Sequence, residues 1–215
     1  MKNKTVVLLH GLGRDRHIMI PMENALIAEG FNTYNLSYPS RKYPIDYLSQ
    51  YVADHINNRL PDQPLYFVTH SLGSIILRYI NAHQLIKHID RVVMLGPPNH
   101  GTPIINYLRR FATLRHYWGP AALELASDEQ GIYHHLLEPI PFDCGIIAGN
   151  HTFDPWFSWT LLKGMDDGKV TVESTKLKGM RDHIIIPCAH LYLPKNKIAI
   201  AQTIHFLKDN QFVHQ

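Results

Sequence analysis

Val68-Thr69-His70-Ser71-Leu72-Gly73-Ser74 sets a serine on a tight turn between an apolar strand and a helix. The strand reads Leu65-Tyr66-Phe67-Val68 and is bounded upstream by Pro61 and Pro64. The helix runs from Leu72 to about Gln84, with Ile75, Ile76, Tyr79 and Ile80 recurring at helical spacing. A serine on such an elbow stands above the edge of a sheet, where a base can reach its hydroxyl. The N–H groups that open the following helix point at developing negative charge.

Outward from this elbow, strands and helices alternate. Thr5-Val6-Val7-Leu8-Leu9 reads as a buried strand ended by the turn His10-Gly11-Leu12-Gly13. A helix over Pro21 to Glu29 has proline near its start and Gly30 just past its end, the usual asymmetry. Phe31 to Leu36 is a second strand, and Ile45 to Leu60 an amphipathic helix stopped by Pro61. Beyond the elbow, Arg91 to Gly96, Asp143 to Ala148 and His183 to Cys188 read as strands, and Lys195 to Lys208 as a closing helix. Continuous apolar strands in strand–helix–strand units predict an α/β protein with a parallel sheet covered on both faces. Residues 99–140 break the rhythm and read as a small cap on a single domain spanning residues 1–215.

Composition narrows the classes. The chain of 215 residues is 45% hydrophobic and 18% charged, enough to bury a core. A formal charge of +3, with no block of like charge longer than Arg109-Arg110, gives no argument for nucleic acid. Cys144 and Cys188 lie in apolar runs and read as buried thiols of a reducing compartment. Met1-Lys2-Asn3-Lys4 leads into an apolar stretch too short for a signal-peptide core, and no run is long enough to span a bilayer. These features predict a soluble, cytoplasmic protein.

A serine hydroxyl is a poor nucleophile alone. It needs a base within hydrogen-bond reach, a carboxylate to orient that base and donors for the oxyanion. Of 15 histidines, His190 is best placed, just past the last strand and before the terminal helix. Sites in parallel sheets form at the carboxyl ends of strands, where His190 and Ser71 both fall. The acidic turn Asp166-Asp167-Gly168-Lys169-Val170 precedes His190 and supplies the carboxylate, with Asp167 preferred and Asp166 its rival. The backbone N–H groups of Leu12 and Leu72 are the natural oxyanion donors.

Taken in order, His10-Gly11-Leu12-Gly13, Thr69-His70-Ser71-Leu72-Gly73, Gly96-Pro97-Pro98-Asn99-His100-Gly101-Thr102, Asp167-Gly168-Lys169-Val170 and His190 resemble the α/β-hydrolases. Within that fold they resemble the bacterial lipase/esterase group, from about Val6 to Phe206. The resemblance implies Ser71 as nucleophile, Asp167 as acid, His190 as base, and Leu12 and Leu72 as the oxyanion hole. It implies a serine hydrolase cleaving carboxylic esters of small-molecule acyl substrates, with no cofactor. For a chain this short it also implies a sheet of about six strands. A thioesterase or acyltransferase would use the same triad, and a non-catalytic binding protein would share only the fold. Two positions depart from the pattern. Thr69 replaces the first glycine of the elbow, where a small residue is usual. Tyr192 stands where larger bacterial lipases carry a calcium-binding aspartate, so no metal site is expected.

Other features have plainer readings. Thr102 and Pro103 are expected to start a helix rather than assist catalysis, and His10 and His70 to shape their turns. Ile104, Leu108 and Phe111 form a helical stripe suited equally to packing or to an acyl pocket. Phe153, Trp156, Phe157, Trp159, Leu161 and Leu162 crowd the loop before the acidic turn and are expected to be mainly core. A transient contact with a lipid surface is their alternative use.

Overall fold

The computed structural model describes residues 4–60, 62–136, 138–153 and 155–214, without the side chains of Leu114, Arg115 and Phe157. Met1, Lys2, Asn3 and the helix-stopping Pro61 lie outside the described residues, as does the Phe157 side chain. Six strands form one sheet in the order β2-β1-β3-β4-β5-β6. They are β1 (Thr5–Leu9), β2 (Asn32–Leu36), β3 (Leu65–His70), β4 (Ile89–Leu95), β5 (Asp143–Gly149) and β6 (Asp182–Ile186). Every pairing between them is parallel.

The pleat divides the core. Val7, Leu9, Phe67, Val92, Met94 and Ile146 face one side, against α2 (Ile45–Arg59) and α3 (Leu72–Ala82). Val6, Leu8, Val68, Val93, Leu95 and Ile147 face the other, against α1 (Ile20–Ala28) and the carboxyl-terminal helix Lys197–Asp209. Successive strand residues point to opposite faces, so a strand with helices on both sides must be apolar at every position. That is why β1, β3 and much of β4 and β5 read as unbroken apolar runs.

Between β4 and β5 lie α4 (Pro103–Leu108), α5 (Ala112–Trp118) and α6 (Pro120–Leu123). Thr102 caps α4, accepting the N–H of Ile104 at 3.4 Å, and Pro103 opens it. Between β5 and β6 lie α7 (Pro155–Thr160) and α8 (Val172–Thr175); Lys197–Asp209 is α9. Asn196 caps α9 with its side-chain oxygen on the N–H groups of Ile198 and Ala199.

Several expectations shift. β3 continues through Thr69 and His70, because both are paired to Met94 and Leu95 of β4. β6 begins at Asp182 and stops at Ile186, which leaves Cys188 in the loop that carries His190. The aromatic loop is not mainly core: Phe153 is 71%, Trp156 66% and Trp159 86% exposed, and among the described side chains of that group Leu162 is the one packed inside. Aromatic density does not reveal which way a short helix turns. The expected helical stripe divides too: Ile104 is buried and Leu108 half-buried on α4, while Phe111 lies beyond its end and is exposed. Arg109 is half-buried and pairs with Asp128.

The sheet order fixes where a site can form. From β1 the chain moves one way to β2, then crosses back over β1 to β3. Beyond the carboxyl ends of β1 and β3 this reversal opens a crevice, the usual binding position in open parallel sheets. Leu12 follows β1 and Ser71 follows β3, so both stand at that crevice.

Candidate active site

Ser71 occupies the elbow between β3 and α3 with φ 53° and ψ −121°, a backbone conformation that non-glycine residues rarely adopt. The turn is held from both sides. The Ser71 N–H donates to Leu95 O of β4 at 3.0 Å, and the Ser74 N–H to Ser71 O at 2.9 Å. α3 can pass this close to β1 because residue 73 is glycine: a Cβ there would sit 2.6 Å from Leu9 O. Thr69 fits despite its bulk. It is fully buried, and its hydroxyl lies 2.7 Å from that of Ser74, so the extra polar atom is satisfied.

His190 begins a short 3-10 turn, His190–Lys195, after β6. Its Nε2 lies 2.9 Å from Ser71 Oγ and its Nδ1 2.7 Å from Asp167 Oδ2. The His190 N–H also donates to Asp167 O, so backbone and side chain tie the two residues together. Asp167 is held independently: its Oδ1 accepts the N–H groups of Lys169 at 3.0 Å and Val170 at 2.8 Å. Asp166 turns elsewhere, with Oδ1 accepting from the Ser158 hydroxyl and the Gly168 N–H. Of the two acids, it is Asp167 that meets the histidine.

All three side chains are buried or nearly so, with Ser71 9%, Asp167 2% and His190 5% exposed. Hydrogen bonds among charged and polar groups strengthen where water is excluded. With a proton on Nδ1 shared to Asp167, Nε2 is free to accept from the serine hydroxyl.

Two residues quoted in the sequence motifs have a supporting place that the sequence did not assign. Gly96, at the end of β4, has φ 54°; a Cβ there would stand 3.0 Å from Asp167 Oδ2 and 3.1 Å from His190 Nδ1. Any side chain would press on the Asp167–His190 bond. The sequence showed it as the glycine that ends an apolar strand and opens the Gly96–Thr102 motif. His70 is the second: its Nε2 lies 3.0 Å from His190 O, and its ring sits 4.9 Å from the His190 ring. Burial, and then the nearby His190, hold His70 well below the ordinary histidine value, so it stays neutral.

The expected oxyanion donors also stand at the elbow. Among the described residues no acceptor takes the N–H of Leu12 or of Leu72, and the Gly13 N–H beside them goes to Ser40 Oγ at 2.9 Å. His10 shapes this turn as expected. Its Nδ1 lies 2.8 Å from Gly11 O, its Nε2 accepts the Tyr38 N–H, and its ring stacks on Tyr38 at 4.0 Å. Among the described residues no cluster of three or more His, Cys, Asp or Glu side chains is placed to hold a metal ion. His100 sits against Tyr133 with no tie to the Ser71 group, and Cys144 and Cys188 are buried free thiols.

No protein-family model matches the sequence, nor does any curated protein. Solved structures do resemble it. The mature form of the Bacillus licheniformis lipase BlEst2 superposes with a TM-score of 0.79 at 16% identity, covering 95% of this chain and 90% of that one. The metagenomic carboxyl esterase MGS0156 gives 0.68 at 16% identity, covering 88% and 65%. An extracellular α/β-hydrolase from a Paenibacillus species gives 0.60 at 13%, covering 95% and 98%. At these identities the likeness establishes the fold alone: the chain has the α/β-hydrolase fold, as its ordered motifs suggested.

Proposed function

We propose that this protein is a serine hydrolase that cleaves carboxylic esters through an acyl-enzyme on Ser71. The observation that carries the reading is the continuous chain Ser71 Oγ–His190 Nε2–Asp167 Oδ2, with links of 2.9 and 2.7 Å. His190 Nε2 takes the hydroxyl proton as Ser71 Oγ attacks the ester carbonyl carbon. Asp167 holds the Nδ1–H tautomer and stabilises the imidazolium that forms. The Leu12 and Leu72 N–H groups receive the negative charge that develops on the carbonyl oxygen, each contributing about 3 kcal/mol to the barrier. His190 then returns the proton to the departing alcohol. Water, deprotonated by His190, attacks the acyl carbon and releases the acid. His70 remains neutral beside it, which avoids a second positive charge when His190 is protonated.

In this reading residues 99–140 are a cap on one α/β domain. The free thiols of Cys144 and Cys188 favour a reducing, cytoplasmic setting. Exposed Trp156 and Trp159 suit transient contact with a lipid surface, and no helix among the described residues is long and apolar enough to cross a membrane. The test is a p-nitrophenyl ester series from acetate to palmitate, run beside acyl-CoA thioesters with wild type and Ser71→Ala. Ester turnover lost in Ser71→Ala supports the proposal; a preference for thioesters rejects the esterase assignment.

A further inference from the structure

Beside the oxyanion turn lies a shallow, open surface pocket of about 250 Å³, whose lining includes Gly13, Arg14, Tyr38, Ser40, Arg41 and Lys42. It joins the loop after β1 to the loop after β2, both on the edge of the sheet that carries Ser71. Arg14 is two residues past Leu12, within about 7 Å of backbone. The charge of Arg14 also reaches the catalytic side: it adds to the burial, His190 and His10 effects that keep His70 unprotonated.

The cations here lack carboxylate partners. Among the described residues no acid lies within ion-pair distance of Arg14, Arg41 or Lys42, as for several other surface cations; what distinguishes these three is that they line one pocket. Asp15, the acid next to Arg14, is turned to His17, whose backbone N–H and ring nitrogen both lie 2.9 Å from its Oδ1. Arg41 is nevertheless positioned. Its guanidinium lies 4.6 Å from the ring centre of Tyr117 and 5.3 Å from that of Trp118, at the end of α5. Gly119 packs directly on the Arg41 backbone. Aromatic stacking orients a guanidinium while leaving its N–H fork free for an oxyanion.

We propose that this pocket is a subsite for an anionic oxygen group, phosphate or carboxylate, carried by the ester that Ser71 cleaves. The inference rests on the reading of Ser71 as nucleophile and adds the charge of the substrate to it. Arg14 and Arg41 supply planar donors, and Lys42 adds a further positive charge at the rim. An anion bound there fixes the remainder of the ester across the neighbouring oxyanion turn.

Two matched pairs of esters test it. One sets 3-butyryloxy-4-nitrobenzoate against 2-nitrophenyl butyrate; the other sets octanoyl-glycerol 3-phosphate against octanoylglycerol. The proposal expects the anionic member of at least one pair to be favoured tenfold or more in kcat/KM at low salt. The pair that shows it identifies carboxylate or phosphate as the group. The preference should shrink toward unity in 0.5 M NaCl, as screening requires. In the double variant Arg14→Gln/Arg41→Gln the anionic-to-neutral ratio should fall at least tenfold, through KM. Both residues are exposed, so the variant should fold. Equal turnover of both members of both pairs, or a ratio unchanged in the variant, overturns the proposal and leaves the hydrolase reading standing. Calorimetric titration of Ser71→Ala with octanoyl-glycerol 3-phosphate and 3-butyryloxy-4-nitrobenzoate reads the pocket without chemistry. Binding that Arg14→Gln/Arg41→Gln abolishes, with no turnover by wild type, would sink the hydrolase reading and the substrate assignment with it, leaving an anion pocket only; absence of both would sink pocket and reading together.

Discussion

Asp166 and Asp167 are neighbours in the chain whose carboxylates serve different partners. Asp167 Oδ2 meets His190 Nδ1 at 2.7 Å, while Asp166 Oδ1 meets the Ser158 hydroxyl at 2.6 Å and the Gly168 N–H at 2.8 Å. One acid orients the histidine and the other builds the turn that presents it.

Substitution should separate these roles. Asp167→Asn favours the wrong imidazole tautomer, and kcat for a p-nitrophenyl ester should fall by about 10⁴-fold. Asp166→Asn keeps an acceptor for Ser158 and Gly168, so its kcat should stay within about tenfold of wild type, with the loss showing in stability. Steady-state kinetics on both variants decides between them.

Gly96 should be intolerant for a reason unrelated to substrate contact. Gly96→Ala places a methyl group against Asp167 Oδ2 and His190 Nδ1 at a backbone φ of 54°. Turnover should drop by about 10²-fold from misplacement alone, and stability by about 1–3 kcal/mol. Wild-type kcat in this variant, with the fold retained, would show that the bond tolerates displacement.

Buried histidines should set the acid limb of stability. Burial lowers His10, and burial with His190 lowers His70 well below 6.5. Below pH 6.5 the unfolded chain binds protons that these residues refuse in the fold. Their contribution is therefore intact above about pH 6.5 and lost as pH falls, by up to about 1.4 kcal/mol per unit for each histidine. Urea midpoints between pH 8 and pH 5 should fall accordingly, and His70→Gln should flatten the slope. A slope unchanged by His70→Gln would contradict this origin.

Arg78 should be a stability residue. It is 2% exposed on α3, donates to Asn99 O at 2.9 Å and pairs with Glu138 at 3.1 Å. Burial lowers it to about 10, which leaves it charged at neutral pH. Asn99 in turn donates to Thr175 O, so Arg78 braces the exit of β4 against α8. Arg78→Ala leaves these acceptors unpaired around a cavity and should cost about 3 kcal/mol in urea unfolding.

Much of this was legible in the order of local motifs. The apolar runs of β1 and β3, the elbow at Ser71 and the glycine turn after β1 are set by neighbours in sequence. The exposure of Trp156 and Trp159 was not, because it depends on how α7 is held between β5 and the acidic turn. Nor was the nearness of Arg14 to Arg41, which follows from β2 lying beside β1. The constraint at Gly96 arises from β4 ending against a bond formed by residues far along the chain.

The central claim is a covalent acyl intermediate on Ser71. Reaction of the folded protein with a fluorophosphonate, followed by peptide mass spectrometry, tests it most directly. The account predicts a single adduct on the peptide carrying Ser71, abolished in Ser71→Ala and strongly slowed in His190→Ala. A folded wild-type protein that fails to label, or labels at another residue, would contradict it.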